Sequence, residues 1–398
     1  MSIRLLACAS FLFLCVACTA QTWQQLPDFP GTARDDAASF VAGGKIYVGT
    51  GFEVGFNLTN DWWCFDPTTE AWSAVAPMPT TGRQYCTGFN IADTGYVFGG
   101  LDANGALAEL WSYHPDTDQW QQRAPIPAEA RYASVAVEGF YTNAIVATGM
   151  LASGMPTNEA WKYDTDTDAW QQIAPVPGPS RHRAACFLDD GGMRIVGGAD
   201  SLFNALSDSW SYPIWFETGL WYTAPALPEP RYGADGSGGH VSILTAGASG
   251  SSFNDDTWLL WGADWIAIAP FAGGPRRGGV GASGSTAQFW NVEFYYGLGL
   301  DSSLQRHNDW WRLVQPVGIA ENSALELLCH PNPVNDLLQL PGTRPNDRMR
   351  IVDAVGREYI IPFAGVHSLD VSRLAPGVYS VVVTDSAGRV RTARFVKE

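Results

Sequence analysis

One stretch of about fifty residues shows how apolar and polar positions alternate along most of this chain. Between positions 120 and 170, short apolar segments are separated by polar turns, and the apolar run 144–147 is followed by Thr148 and ended by Gly149. Trp161 and Tyr163 lie on one face of a strand, because side chains in a strand alternate at period two. No part of the stretch has the 3.6-residue period of a helix. The pattern predicts four short antiparallel strands joined by turns.

The same pattern recurs six times, marked by residue series that share one period. The arginines are Arg34, Arg83, Arg131, Arg181, Arg231 and Arg276, separated by 49, 48, 50, 50 and 45 residues. Two tryptophan series accompany them: Trp23, Trp72, Trp120, Trp170, Trp221 and Trp265, then Trp62, Trp111, Trp161, Trp210, Trp258 and Trp310. A period near 50 is typical of propeller blades. The repeats therefore predict an all-β, six-bladed β-propeller in which the N-terminal strand at Trp23 completes the sixth blade.

The repeats resemble those of the kelch family over residues 23 to about 315. The resemblance is carried by glycine doublets, Trp-x-Tyr strands and Pro-x-Pro segments, at Gly99-Gly100, Gly197-Gly198, Trp111, Trp161, Trp210, Pro77, Pro125 and Pro175. It implies the propeller fold over residues 21–317. Because kelch propellers serve as enzymes, adhesins and docking platforms, it implies no single activity.

The composition changes after Pro316. All 17 tryptophans lie between Trp23 and Trp311, and the later segments 337–340, 348–353, 359–361, 377–384 and 389–396 read as short strands. They predict a small C-terminal β-sandwich over residues 325–398, joined to the propeller by a linker at 318–324.

This C-terminal stretch resembles the sorting domain of proteins exported by type IX secretion in Bacteroidota. The motif residues, in their usual order, are Pro331, Asn332, Pro333, Asp353, Gly356, Arg357, Gly377, Tyr379 and Lys397. The resemblance implies contact with the type IX machinery, export through the outer membrane, and removal of the domain with surface anchoring or release. A carbohydrate-binding or structural sandwich is the alternative.

The N-terminus predicts a secretory signal peptide over residues 1–20. Arg4 precedes an apolar run at 5–16, and small residues up to Ala20 provide a cleavage site. Lipidation at Cys18 is the alternative. No other segment is long and apolar enough to cross a membrane as a helix. With a net charge of −16, the chain is not expected to bind nucleic acid or anionic membranes, which require basic patches.

The arginine series allows two interpretations. Six guanidinium groups around one mouth of the central channel could bind an anionic ligand together with Tyr132, His182 and Tyr232. Alternatively, each arginine could pair within its own blade with an acid that precedes the third strand. Those acids are Asp61, Glu109, Glu159, Asp208, Asp255 or Asp256, and Asp309.

Signals for catalysis, metals or cofactors are weak. Asp164, Asp166 and Asp168 alternate as in a calcium loop, but the required glycine and final glutamate are missing, so a solvated turn is expected. We expect no metal and no cofactor. The chain is predicted to be a secreted or surface-anchored module that binds an extracellular protein or glycan.

Two other classes of function stay open. One is a carbohydrate-active enzyme, such as a sugar epimerase or lyase of propeller type, and the other is a purely structural surface component. For an enzyme, the acids and bases near the channel would be Glu129, Glu229, Tyr132, Tyr232 and His182. A buried, unpaired glutamate beside one of the last three would favour catalysis.

Overall fold

The structure is a computed structural model that describes two separate stretches of the chain. The first comprises residues 22–139, 142–189, 192–214, 219–238, 241–283 and 291–316. The second comprises residues 329–330, 333–340, 343, 348–353, 358–359, 363–365, 368–384 and 390–397. The predicted signal peptide, the linker and the motif residues Pro331, Asn332, Gly356 and Arg357 lie outside these residues. The chain divides into two compact units, 1–318 and 319–398.

Every regular element in the described residues is a β-strand, and the first unit contains six four-stranded antiparallel sheets. We number them sheets 1 to 6 in chain order of their inner strands. The inner strands are Ala38–Ala42, Thr87–Ile91, Val135–Glu138, Ala185–Asp189, Asp235–Ser237 and Val280–Ser283. The second strands are Lys45–Gly49, Thr94–Phe98, Asn143–Ala147, Gly192–Val196, Ser242–Thr245 and Asn291–Gly297.

The third and outer strands complete each sheet. The third strands are Trp62–Asp66, Leu110–His114, Ala160–Asp164, Ser209–Tyr212, Thr257–Trp261 and Trp310–Pro316. The outer strands of sheets 1 to 5 are Ala71–Val75, Gln119–Arg123, Ala169–Ile173, Tyr222–Ala224 and Asp264–Ile268. The outer strand of sheet 6 is Thr22–Leu26, which pairs with the third strand Trp310–Pro316. The N-terminal strand thus closes the last sheet, as the repeat pattern predicts.

Five two-stranded ribbons lie beyond the inner strands at one end of the sheets. They pair Arg34–Asp35 with Phe52–Glu53, Leu101–Asp102 with Gly105–Ala106, Arg131–Tyr132 with Met150–Leu151, Ala248–Ser249 with Ser252–Phe253, and Arg276–Arg277 with Leu300–Asp301. The repeat pattern predicts each periodic arginine at the start of an inner strand, but the structure places it four residues earlier, with a residue of positive φ between the two.

Two sets of hydrogen bonds join neighbouring sheets into a closed ring, one at the periphery and one around the central channel. At the periphery, each outer-strand tryptophan donates its indole N–H to a backbone carbonyl of the preceding sheet. The pairs are Trp23 with Ala269, Trp72 with Pro27, Trp120 with Ala76, Trp170 with Ala124, Trp221 with Ala174 and Trp265 with Pro225. Apolar clusters fill the space between sheets, for example the one that contains Phe89, Tyr96 and Trp161. The tryptophans therefore pack and join the sheets, and the all-β propeller fold is confirmed.

The second unit is a small sandwich of two sheets. One has the strand order Leu337–Gln339, Ser368–Asp370, Phe363–Gly365, and the other Glu358–Tyr359, Arg348–Asp353, Gly377–Thr384, Val390–Lys397. A single core that includes Leu338, Leu369, Ile351 and Val381 lies between them. The strands at 363–365 and 368–370 were missed from the sequence, because their residues do not alternate clearly.

Candidate functional site

The six arginines of the repeat are the most buried charged side chains of the propeller. Each is at most 2% exposed and forms an ion pair with an acid of its own sheet at 2.6–2.9 Å. The pairs are Arg34 with Asp61, Arg83 with Glu109, Arg131 with Glu159, Arg181 with Asp208, Arg231 with Asp256, and Arg276 with Asp309. This is the arrangement that the alternative interpretation of the sequence describes.

Each acid also accepts a hydrogen bond from the indole of a tryptophan two residues later. These tryptophans are Trp63, Trp111, Trp161, Trp210, Trp258 and Trp311. In sheets 1 and 6 the tryptophan that bonds to the acid follows the member of the sequence series by one residue. The series members Trp62 and Trp310 are fully buried instead.

The hydrogen bonds lower the pKa values of three of these acids, Asp61, Glu159 and Asp208. Burial alone would raise the pKa of Asp61, but the hydrogen bonds from Arg34 and Trp63 and the charge of Arg34 outweigh it. The same causes lower the pKa of Asp208. The arginines also donate to backbone: Arg34 Nη1 to the carbonyl of Thr50 at 3.0 Å, for example. Their guanidinium groups pair with acids of their own sheets and are not among the residues that line the cavity.

A second position, two residues after each arginine, closes the ring at the channel. These six residues all have φ between 51° and 62°, and each donates its backbone N–H to the carbonyl of the equivalent residue in the preceding sheet at 2.8–3.0 Å. They are Asp36, Tyr85, Ala133, Arg183, Gly233 and Gly278. The six hydrogen bonds form an uninterrupted circle, because Asp36 donates to Gly278 and so joins sheet 1 to sheet 6.

The circle surrounds one end of a cavity of about 460 Å³ that the inner strands enclose. We call this end the mouth, and the surface formed there by the ribbons and loops the mouth face. The cavity wall continues past Ser39, Thr87 and Ser237 to Glu138 near the other end. Burial raises the pKa of Glu138, and Asn90 donates a hydrogen bond to its carboxylate at 2.8 Å.

Four charged or polar side chains meet at the mouth. We call Asp36, Tyr85, Arg183 and Arg277 the mouth cluster. Arg183 donates from Nη2 to the Tyr85 hydroxyl at 2.7 Å and also lies over its ring, with 4.6 Å from Cζ to the ring centre. Arg277 Nη1 lies 3.8 Å from Asp36 Oδ2. Tyr85 also hydrogen-bonds to Asp36.

Burial and the neighbouring carboxylate of Asp35 raise the pKa of Asp36 to about 7, while Arg183, Arg277 and the Tyr85 hydrogen bond act in the opposite direction. Burial and the negative charge of Asp36 raise the pKa of Tyr85. Asp36 therefore exchanges its proton near neutral pH while remaining within reach of two positive charges. A buried carboxyl of this kind is typical of sites that bind or transform a ligand.

Phenylalanine rings from the loops cover three arginines around the mouth. Arg183 lies against Phe203, Arg277 against Phe253, and Arg306 against Phe52 and Phe56, with 4.6–5.7 Å from Cζ to the ring centres. Arg306 also forms a short ion pair with Asp35. Such cation–π contacts are strongest where the cation is removed from water, and they hold the guanidinium groups in fixed positions.

The other residues predicted for a ligand site have different surroundings. Tyr132 is half-buried beside the mouth cluster, with its ring 5.8 Å from that of Tyr85. His182 is buried against Phe203, and burial together with the charge of Arg183 lowers its pKa to about 4. Tyr232 is buried and donates its hydroxyl to the carbonyl of Gly250 at 3.2 Å, which fixes a loop of sheet 5.

The glutamates considered for an enzyme are not buried. Glu129 is exposed and accepts a hydrogen bond from the backbone N–H of Ser153 at 2.6 Å, and Glu229 is exposed as well. The buried carboxyl beside a tyrosine is Asp36, which sequence reasoning missed together with Tyr85 and Arg183. The available signal was their shared offset of two residues from the periodic arginines.

Metal ligands do not gather in the described residues. Among the residues that the structure describes, no three His, Cys, Asp or Glu side chains are grouped to hold an ion. The alternating acids form a turn in which Asp164 Oδ1 accepts hydrogen bonds from the backbone N–H groups of Asp166 and Thr167 at 3.0 Å. Cys64, Cys86 and Cys186 are thiols without a disulfide. In the described part of the chain, no helix meets the length and apolarity needed to span a membrane.

The sorting-motif residues that the structure describes belong to the sandwich. Tyr379 is buried and donates to the carbonyl of Ala375 at 2.9 Å, with its ring stacked on Phe395. Gly377 pairs with Lys397 at the end of the same two strands. Pro333 is exposed, and the backbone of Asp353 pairs with Tyr379. These contacts hold the strands of the sandwich together.

Comparisons with known proteins match parts of this chain. Residues 9–198 match the family model described as the KLHDC2/KLHL20/DRC7 kelch-repeats domain. The solved "Structure of YjhT" has a TM-score of 0.64 and 15% identity, covering 75% of this chain and 98% of that one, which shows the fold alone. Residues 9–198 are therefore similar to a kelch-repeats domain, and the first unit has a propeller fold.

A curated relative matches a shorter segment. Over 149 residues the chain is 27% identical to tRNA wybutosine-synthesizing protein 4 of Emericella nidulans. The match covers 34% of this chain and 14% of that protein. This chain thus spans about one seventh of the length of that relative, whose activity is not carried over by the match.

Proposed function

We propose that this chain is a secreted or cell-surface kelch propeller that binds a protein or glycan ligand at its mouth face and does not transform it. A kelch propeller supports a binding or an enzymatic module, and the choice between them depends on the site. The mouth cluster is the site that supports this proposal best.

The observation that carries the proposal is the contrast between two sets of equivalent positions. The arginine–acid pair is present in all six sheets, as expected for a contact that the repeat itself needs. The positions of the hydrogen-bond circle share one backbone conformation, yet three of them carry Asp36, Tyr85 and Arg183 and three carry alanine or glycine. Because the backbone requires no such side chains, the cluster is best explained by a ligand.

An affinity screen of the full chain tests this proposal. Thermal-shift measurements would use neutral and acidic saccharides, peptidoglycan fragments and peptides, with Tyr85→Phe and Arg183→Gln as site variants and Lys162→Gln as the matched control. We expect a ligand that stabilises the parent and the control but not the site variants. A ligand that stabilises all four proteins equally would place the binding site elsewhere.

The export part of the proposal rests on the two ends of the chain. The signal-like residues 1–20 and the sorting-like domain 325–398 support secretion by the type IX route. Expression in a host with that route would test it, comparing the full chain with a chain that stops at residue 324. Surface or medium localisation of both forms would contradict the role of the C-terminal domain.

A second candidate function is favoured by one property of the site. Asp36, with a pKa near 7 and a tyrosine hydroxyl beside it, could transfer a proton to or from a saccharide. Turnover of any screened saccharide, lost in Asp36→Asn with binding retained, would establish an enzyme and replace the non-catalytic proposal.

A further inference from the structure

The mouth face concentrates exposed apolar side chains. Six of the ten exposed large apolar side chains that the structure describes in the propeller unit lie in its loops, with 49–79% of their surface exposed. We call this set the apolar crown: Val54, Phe56, Met155, Leu202, Phe203 and Leu304. Exposed apolar groups gathered on one face are typical of a surface that contacts another molecule.

The crown is presented by rigid turns. Phe56, Phe203 and Leu304 occupy equivalent positions in three loops, each with φ between 60° and 65° and each donating its N–H to the carbonyl of a residue three positions earlier. Asp200 and Asp301 hold their loops by accepting backbone N–H groups. A preformed contact surface loses little conformational entropy on binding.

On the mouth face the arginine side chains are more buried than the acidic ones. Twelve segments form this face, and together they contain sixteen acids, nine arginines and no lysine. They are residues 27–37, 50–61, 76–86, 99–109, 124–134, 148–159, 174–184, 197–208, 225–234, 246–256, 269–279 and 298–309. Six of the arginines are 0–2% exposed, and the side chains of Arg277 and Arg306 are 19% and 11% exposed. The acids paired with the six arginines are 18–40% exposed, and Glu129 and Glu229 are exposed as well. The surface that a partner meets is therefore negative.

From this arrangement we infer that the ligand of the mouth face is a protein whose contact surface combines apolar side chains with lysine and arginine. The inference rests on the proposed function and selects the protein class within it. Aliphatic tips such as Leu202 and Leu304 complement apolar side chains, whereas sugar rings stack on flat aromatic faces. The exposed acids complement basic side chains and steer them toward the face.

Selection from a library of random dodecapeptides displayed on phage tests the partner class. The full chain is the bait, after depletion on a crown variant, Phe56→Ser with Leu304→Ser. The matched control, Tyr222→Ser with Ile266→Ser, removes exposed apolar groups from the outer strands instead. Thermal unfolding of both variants verifies that each is folded.

We expect the selected peptides to combine Lys or Arg with Leu, Ile or Phe. Their affinity should fall at least tenfold in the crown variant, stay within twofold in the control, and fall with added salt and in Glu129→Gln with Glu229→Gln. Selected peptides rich in Asp or Glu, or the lack of any peptide that depends on the crown, would overturn the inference.

The same reagents separate this inference from the proposed function. If a saccharide binds the parent and the crown variant equally but not Tyr85→Phe or Arg183→Gln, the mouth cluster binds a ligand and the protein class is wrong. If no peptide or saccharide depends on either set of residues, both proposals fail.

Discussion

Arg181 donates two hydrogen bonds to Asp208, from Nη1 to Oδ1 at 2.8 Å and from Nη2 to Oδ2 at 2.6 Å. The guanidinium is fully buried, whereas about a third of the carboxylate side chain is exposed. Removing one partner therefore has a different effect from removing the other. Without Asp208, the Arg181 guanidinium would be an unpaired charge that water does not reach, whereas the carboxylate of Asp208 is partly exposed to water.

Removing Asp208 should destabilise the propeller more than removing the charge of Arg181. Asp208→Ala leaves a buried guanidinium, and we expect a loss of about 3–5 kcal/mol in the free energy of unfolding. Arg181→Met keeps the apolar volume and leaves a carboxylate that water reaches, so the loss should be smaller. Urea unfolding measures both. The exposed pair of Lys45 and Asp66 is the control, and Lys45→Ala should cost less than about 1 kcal/mol. Equal losses in all three variants would contradict a structural role for the buried pair.

Asp36 should make stability fall as pH rises. Its folded pKa of about 7 is above the ordinary value of 3.8, so the folded state holds the proton more tightly. The stabilisation is complete below about pH 4 and is lost as pH rises toward 7. In Asp36→Asn, the melting temperature should change less between pH 4 and pH 7 than in the parent. An unchanged pH profile would show that Asp36 ionises normally.

Asp235 gives a second pH effect at a different place. Its carboxylate accepts backbone N–H groups from Gly236 at 2.8 Å and, in the next sheet, from Gly281 at 2.7 Å. Burial raises its pKa to about 6 although both hydrogen bonds lower it. Stability from this group is present below about pH 4 and lost as pH rises through 6. Asp235→Asn should flatten the pH profile of unfolding between 4 and 6; a profile that steepens would refute this assignment.

Gly278 should tolerate no side chain. It has a φ of 62°, and a Cβ atom there would lie 2.5 Å from Asp36 Oδ1. Gly250 has a φ of 59° with open space around it, so Gly250→Ala carries only the backbone strain of about 1 kcal/mol. We expect Gly278→Ala to lower the melting temperature further than Gly250→Ala and to weaken ligand binding at the mouth. Equal melting temperatures would mean that Asp36 moves aside freely.

The repeat made the scaffold predictable from the sequence. Tryptophan and arginine recur because every sheet needs the same contacts, so their period alone predicts the strands and offers the arginine–acid pairs as one of two interpretations. The closing role of the strand at Trp23 followed from the same series. Because equivalent contacts require equivalent residue types, those residue types recur in the sequence with a period of about 50.

The mouth cluster was not predictable in the same way. Asp36, Tyr85 and Arg183 occupy one structural position but share no chemistry, so no period of residue type marks them. Their proximity depends on the circle of hydrogen bonds and on the left-handed backbone at each position. Two sheets carry glycine at this position, and three carry a large side chain. Likewise, Asp235 stands where other inner strands carry alanine, valine or threonine, and its burial follows only from the packing of sheets 5 and 6.

The pairing of Thr22–Leu26 with Trp310–Pro316 also determines the order in which the chain can fold. Sheets 1 to 5 each use one continuous stretch of chain, but sheet 6 joins strands that are nearly 290 residues apart. Its outer strand is made first but has no partner until the third strand Trp310–Pro316 has been synthesised. Contacts so distant in sequence form slowly. A nascent chain therefore carries an unpaired N-terminal strand while the first five sheets are synthesised.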